Sequence, residues 1–221
     1  MKEKISVVIP TLNEEKNLPH VLDTMPQYIS EIIVVDGRSK DKTVRIAKQY
    51  NTKILYDKEG KGSALIKGLK AAKGDIVIMM DADCSHRTEE LGLLIEGIKG
   101  GYDTCMGSRF IQGGGTADMP LLRKLGNKSF VFLVNLFWKM NYSDLCYGYR
   151  SFNRNAIKKL NLESKEFAIE TEISIKAAKK KLKVLEIPSF EKKRKSGKGK
   201  LKTFKHGREI SKRIITELFR K

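Results

Sequence analysis

The first half of this chain alternates short, uninterrupted apolar runs with segments of helical spacing, and that alternation leaves few folds open to it. Ile5–Pro10 is such a run, ended by Pro10, and Glu14–Tyr28 follows with Leu18, Val21, Leu22 and Met25 at helical intervals. Ile32–Asp36 repeats the first pattern, a helix carrying Val44, Ile46 and Ala47 repeats the second, and Lys53–Tyr56 reads as a third strand. A glycine turn at Gly60–Gly62 opens a helix through Leu65, Leu69 and Ala72, which leads to a fourth strand at Ile76–Met80. Runs that are apolar at nearly every position must be covered on both faces. The pattern therefore predicts an α/β fold around a mainly parallel sheet, with ligands outside the carboxyl ends of the strands.

After a helix near Glu89–Lys99 and a strand near Tyr102–Gly107 the pattern changes. A glycine-rich loop over 111–120 precedes a long helix, Leu121–Met140, whose second half is apolar and aromatic. A strand at Tyr147–Phe152, a helix over Ile169–Ala178, a strand at Leu182–Ile187, a Lys-rich loop at Glu191–Lys202 and a terminal amphipathic helix complete the reading. No repeat and no long linker divides the 221 residues, so one domain is expected: 1–189 as its body, in halves 1–110 and 111–189, with 190–221 as a basic loop and helix of the same domain.

Charge is unevenly placed. The chain holds 44 Lys and Arg against 26 Asp and Glu, a formal net charge of +18, yet residues 176–221 carry 18 of those cations with four acids, leaving 26 and 22 for residues 1–175. A C-terminal basic segment implies an anionic partner, which composition alone could make nucleic acid, acidic lipid or phosphate-bearing small molecules. Cys84, Cys105 and Cys146 have neither disulfide-framework nor zinc-site spacing, and a reducing compartment is expected. The N-terminal apolar run is too short for a signal peptide, and Phe130–Trp138 falls short of the ~20 residues that span a bilayer.

Four clusters capable of chemistry fall at strand ends. Pro10-Thr11-Leu12-Asn13-Glu14 follows the first strand, Asp36 closes the second, Asp81-Ala82-Asp83 follows the fourth, and Gly107-Ser108-Arg109 closes the next. Two aspartates one residue apart can offer hard oxygen ligands to Mg²⁺ or Mn²⁺, which completes its shell with water and substrate phosphates; a solvated turn is the plainer reading of that tripeptide alone. Gly60-Lys61-Gly62 before a helix could meet anionic groups, or be only a helix-entry turn. His20, His86 and His206 lack a nucleophile context and read as surface or structural residues.

Together these clusters resemble the family 2 glycosyltransferases, inverting enzymes of the GT-A fold, and within them the polyprenyl-phosphate sugar transferases of the dolichol-phosphate mannose synthase type. The resemblance runs through VVIPTLNEE at 7–15, EIIVVDGRSKDKT at 31–43, GKGSALIKGLKAAKGD at 60–75, MDAD at 80–83, GSRF at 107–110, DLCYGYRSF at 144–152 and RKSGKGKL at 194–201. It implies that residues 1–110 bind a GDP- or UDP-linked sugar and 111–189 the acceptor. Pro10, Leu12 and Glu14 would line the nucleoside pocket, with Val34 beside the base and Asp36 accepting from it. Asp81 and Asp83, with Ser85 near, would hold the metal against the diphosphate, and Ala82 would add a backbone contact. Arg109 would face the phosphates at the reaction centre, Arg123 would hold the lipid phosphate, and Arg194 with Lys200 would close over the donor. The family's usual Asp-Asp-Gly-Ser is here Asp36-Gly37-Arg38-Ser39, and Gly199 stands in place of a serine in the last motif.

The resemblance implies transfer of mannose or glucose to a polyprenyl phosphate at the cytoplasmic membrane face, by a peripheral protein on an anionic surface, with a membrane-anchoring partner as an option. A hydroxyl acceptor is the rival, and it would need a general base, for which Asp144 is the candidate; a lipid phosphate, with a second pKa of ~6, needs none, and Asp144 would then position the acceptor or Arg150. A plain ion pair of Asp144 with Arg150 is the alternative for those two residues. Leu121–Met140 and the terminal helix, with Ile210, Ile214, Ile215, Leu218 and Phe219, read either as core or as the border of an isoprenoid groove. A nucleic-acid-binding module is disfavoured, because the basic segment interleaves few aromatics and the strand-end carboxylates would repel a polyanion.

Overall fold

A computed structural model describes residues 3–220. Seven strands form one sheet: β1 (Ile5–Thr11), β2 (Glu31–Asp36), β3 (Lys53–Tyr56), β4 (Ile76–Met79), β5 (Thr104–Ser108), β7 (Arg150–Asn153) and β8 (Val184–Pro188), in the order β3-β2-β1-β4-β7-β5-β8. Short strands β6 (Gly115–Thr116) and β9 (Phe190–Glu191) pair separately. The helices are α1 (Leu18–Asp23), α2 (Thr43–Gln49), α3 (Lys61–Ala71), α4 (Leu91–Lys99), α5 (Leu121–Trp138), α6 (Arg154–Leu160), α7 (Ile169–Lys179) and α8 (Thr203–Phe219).

The sheet is parallel except at β7, which runs antiparallel to β4 and β5. Alternation along each strand divides the core between the two faces. Val7 and Ile9 of β1 and Val34 of β2 pack into one apolar layer with Leu18, Leu22 and Leu94, while Val8, Ile33 and Val35 pack into the other with Leu65, Leu69 and Ile173. Gly68 of α3 permits the close approach, since a Cβ there would stand 2.3 Å from Val8 Cγ1. A third cluster, including Val134, Tyr142, Ile175, Ile210 and Ile214, joins α5, α7 and α8 beyond the sheet edge.

Helix α6 and strands β6 and β9 are additional to the sequence reading, and two of the expected elements differ from it. The first helix is only Leu18–Asp23 rather than Glu14–Tyr28, because Pro19 sits in its first turn, Pro26 follows its end, and Glu14–Asn17 forms a turn whose groups serve the cleft. The strand expected at Tyr147–Phe152 begins at Arg150. Tyr147 and Tyr149 instead pack around His86, whose ring lies 4.8 and 4.7 Å from theirs.

Candidate active site

The carboxyl ends of β1, β2 and β4 open on a cleft of about 810 Å³ that continues between α5 and α8. Pro10, Leu12, Glu14, Asp81, Ala82, Asp83, Ser85, Arg109, Arg123, Arg194 and Lys200 all line it, although they lie far apart in sequence. Parallel pairing is what gathers the first of them: Thr11 stands opposite Asp36, and Val8 opposite Met79, so the chain leaves β1, β2 and β4 on one side.

At the centre, Lys61 Nζ lies 2.8 Å from Asp81 Oδ1 and 3.0 Å from Glu170 Oε1. Burial pushes the Lys61 ammonium down, but the two carboxylates outweigh it and hold the group above its ordinary range. Burial likewise raises the Asp81 carboxyl, and Lys61, then His86 and Arg194, bring it below the usual carboxylate value. His86 Nδ1 accepts from the Asp81 backbone N–H at 3.0 Å, and burial keeps its imidazole below the ordinary histidine value. Asp83 Oδ1 accepts from the backbone N–H and hydroxyl of Ser85 at 3.0 and 2.6 Å, while Oδ2 accepts from Arg194 Nη1 at 3.0 Å.

Arg109 is clamped. Its Nε and Nη2 donate to Asp144 at 2.7 and 2.9 Å, Nη1 donates to Glu191 at 3.0 Å, and the guanidinium stacks 4.6 Å above Tyr147. Asp144 is fully buried with its carboxylate taken by Arg109, and the strand-edge pair with Arg150 does not form. Arg150 instead donates to the carbonyls of Leu145 and Tyr147 and to Ser174 Oγ, bracing the loop that carries Asp144. Glu186 holds the same loop from below through Ser143 and Asp144 N–H groups, and burial raises its carboxyl above the ordinary value.

The Lys-rich segment crosses the cleft as a strap. Lys192 N–H donates to Ser85 O, Lys195 N–H to Asp83 O, and Asn17 Nδ2 to Ser196 O. Arg194 Nη2 pairs with Glu14, and Lys200 reaches Glu14 at 2.9 Å and the Leu12 carbonyl. On the opposite wall Arg123 donates to Thr203 Oγ1 and Leu201 O at 3.2 and 2.9 Å.

Residues 6–160 match the glycosyl transferase family 2 model. The chain belongs to that family. It is 35% identical over 211 residues to a dolichol-phosphate mannosyltransferase of Pyrococcus furiosus, covering 90% of this chain and 59% of the relative, so it spans less than two thirds of that protein. An undecaprenyl-phosphate mannosyltransferase of Micrococcus luteus is 29% identical over 215 residues, with 90% and 87% covered. The fold is shared with a solved glucosyl-3-phosphoglycerate synthase of Mycobacterium tuberculosis in complex with Mn²⁺, UDP and glucosyl-3-phosphoglycerate: TM-score 0.77 at 19% identity, over 98% of this chain and 80% of that one. The architecture is thus the single-domain GT-A α/β fold.

Within this family 2 transferase, two residues expected near the nucleoside do not line the cleft. Val34 packs into the core, because alternation along β2 turns it to the α1 and α2 face, and the Asp36 carboxylate is engaged by Thr11 Oγ1 and by the N–H and hydroxyl of Ser39. Among the lining residues without an assigned role at the sequence level are His86, Tyr147, Glu170 and Glu191, which contact the charged groups of the site. Of these, Glu170 alone left a signal in the sequence, a carboxylate in the first turn of a helix that presents Ile173 and Ala177 on the same face. Among the described residues no group of three or more His, Cys, Asp and Glu side chains stands as a preformed metal cluster. The donor set still fits a hard divalent ion. Two carboxylates and a hydroxyl face the cleft, all oxygen, and phosphates and water supply the remaining ligands of such ions.

Proposed function

We propose that this transferase moves a hexose, mannose or glucose, from a GDP- or UDP-linked donor to a polyprenyl phosphate, inverting the anomeric centre. The observation that carries the reading is the form of the cleft: acidic strand ends at one end, and at the other a gap between α5 and α8, lined by Leu122, Phe130, Phe204 and Ile210, that leads to an exposed apolar face. A soluble acceptor needs no such exit. The names of the two mannosyltransferase relatives agree with it.

In this reading Asp81 and Asp83 hold Mg²⁺ or Mn²⁺, which supplies positive charge to the departing nucleoside diphosphate. Lys61, Arg194 and Lys200 add cations around the same phosphates. Arg109, gripped by Asp144 and Glu191, is pre-oriented toward the reaction centre, and Arg123 meets the acceptor phosphate. The attacking atom is a phosphate oxygen that is already ionised, so its bond to the anomeric carbon forms as the bond to the diphosphate breaks, with no proton to remove. Asp144 then acts by orienting Arg109, in keeping with a carboxylate whose oxygens are occupied by guanidinium and backbone N–H groups.

The protein sits peripherally on an anionic membrane face. Leu121, Leu125, Phe132 and Leu136 form one exposed stripe of α5, Phe204, Ile215 and Phe219 stand out from α8, and Lys124, Lys128, Lys205 and Lys212 are exposed beside them. Among the described residues no helix is long and apolar enough to cross a membrane. The test is incubation with labelled donor, Mg²⁺ or Mn²⁺, and polyprenyl phosphate. Label partitioning into the organic phase is the expected result, and transfer only to saccharides or free polyprenols overturns the acceptor.

A further inference from the structure

Asp83 has one oxygen left to give. Ser85 holds Oδ1 by both its N–H and its hydroxyl, at 3.0 and 2.6 Å, so a cation bound through Asp83 must take Oδ2, the atom that Arg194 Nη1 holds at 3.0 Å. Arg194 is itself on the strap, tied to the Asp83–Ser85 turn by the backbone bonds from Lys192 and Lys195. Its other arm, Nη2, pairs with Glu14, which Lys200 shares. Releasing Asp83 therefore leaves the strap attached at Glu14.

Resting on the reading that Asp81 and Asp83 hold a divalent ion, we propose that Arg194 is an exchangeable counter-cation: it competes with the ion for Asp83 Oδ2, and once displaced it turns to the donor diphosphate. The local charge supports this. The carboxylates Glu14, Asp81, Asp83 and Glu170 outnumber Lys61, Arg194 and Lys200 by one, so an added divalent ion leaves the site with an uncompensated positive charge, which a sugar nucleotide's diphosphate neutralises. Metal and donor binding are thereby coupled through one side chain, each making the other's site more favourable. Lys61 has a different part: buried between Asp81 and Glu170 and 5.4 Å over the Phe167 ring, it has a second carboxylate to keep it in place.

The experiment measures Mn²⁺ affinity by electron paramagnetic resonance for wild type, Arg194→Ala and Arg194→Lys, with Mn²⁺ alone and with Mn²⁺ plus GDP or UDP. With Mn²⁺ alone, Arg194→Ala should bind about three- to tenfold more tightly than wild type, the opposite of the usual loss on mutating a binding residue. The enhancement of Mn²⁺ affinity by nucleoside diphosphate should shrink in the same variant, while Arg194→Lys, which keeps the charge, stays near wild type. Unchanged or weaker Mn²⁺ binding by Arg194→Ala overturns the exchange, and so does an Arg194→Lys variant that behaves like Arg194→Ala. If wild type binds no Mn²⁺ even with either diphosphate, the metal reading falls and the exchange with it.

Discussion

At the ends of β1 and β4 every carboxylate in the cleft has a partner: Glu14 with Arg194 and Lys200, Asp81 with Lys61, Asp83 with Arg194 and Ser85. Across the cleft, α5 buries only Asn127 and Val134 of its 18 residues and leaves Leu121, Phe132 and Leu136 more than half exposed. One wall is a polar network on a rigid sheet; the other is an apolar surface without cover. What fastens that second wall lies behind it. Glu172, fully buried on α7, pairs with Lys176 at 2.7 Å and with Arg213 of α8 at 3.6 Å, and Glu217 pairs with Lys179 at 3.0 Å. In the proposed reading the difference is functional: groups that meet a small ion or phosphate are held to tenths of an ångström, whereas groups that meet a fluid lipid need only area and orientation.

The largest expected effect falls on the polar wall. Asp83→Ala should lower metal-dependent transfer on the order of a thousandfold while the melting temperature in chelator stays close to wild type, since the residue sits on a turn and not in the core. Full turnover in that variant would remove Asp83 from the chemistry. Behind the apolar wall, Glu172→Ala leaves Lys176 without its buried partner and should destabilise by about 3 kcal/mol, read by urea unfolding. A loss under 1 kcal/mol would mean that α8 is held by its apolar face and the Lys179–Glu217 pair without help from Glu172.

On the apolar wall itself, Phe132→Glu with Leu136→Glu should weaken sedimentation with anionic vesicles about tenfold and leave binding of nucleoside diphosphate unchanged. Equal loss of both would show that the two walls are not separable. The smallest effect concerns pH. His86 is held below its ordinary value of 6.5, so below that pH the unfolded chain binds a proton that the folded chain refuses, and stability falls as pH drops from 6.5 toward the folded value. His86→Asn should flatten the melting-temperature profile measured from pH 7 to pH 5 in chelator; an unchanged slope would assign it to other groups.

The polar wall was largely legible in the sequence. Continuous apolar strands name their own carboxyl ends, so Glu14, Asp81, Asp83 and Arg109 could be placed in one cleft from Ile5–Pro10, Ile76–Met80 and Tyr102–Gly107 alone. Val34, which the resemblance put beside the base, packs into the core instead of lining the cleft, and a largely apolar strand does not reveal which face each residue takes. Glu191 was hidden for another reason: it acquires its place only when β9 pairs with β6 and brings its carboxylate to Thr116 and Arg109. The choice between core and surface for α5 was equally closed to the sequence, since an apolar helix reads alike in both settings.

By itself, then, the sequence determined the sheet, the four clusters at its strand ends and the basic segment, because periodicity and strand termini are local properties. Tertiary structure alone decided the partners. Asp144 lies six residues from Arg150 yet pairs with Arg109, thirty-five residues away, since residues 143 and 144 pack against Ser108 and Arg109 at the end of β5 while Arg150 of β7 donates to carbonyls and Ser174. Buried charges are matched by whichever opposite charge the fold delivers within hydrogen-bond reach, and reach across a cleft is not written in sequence separation.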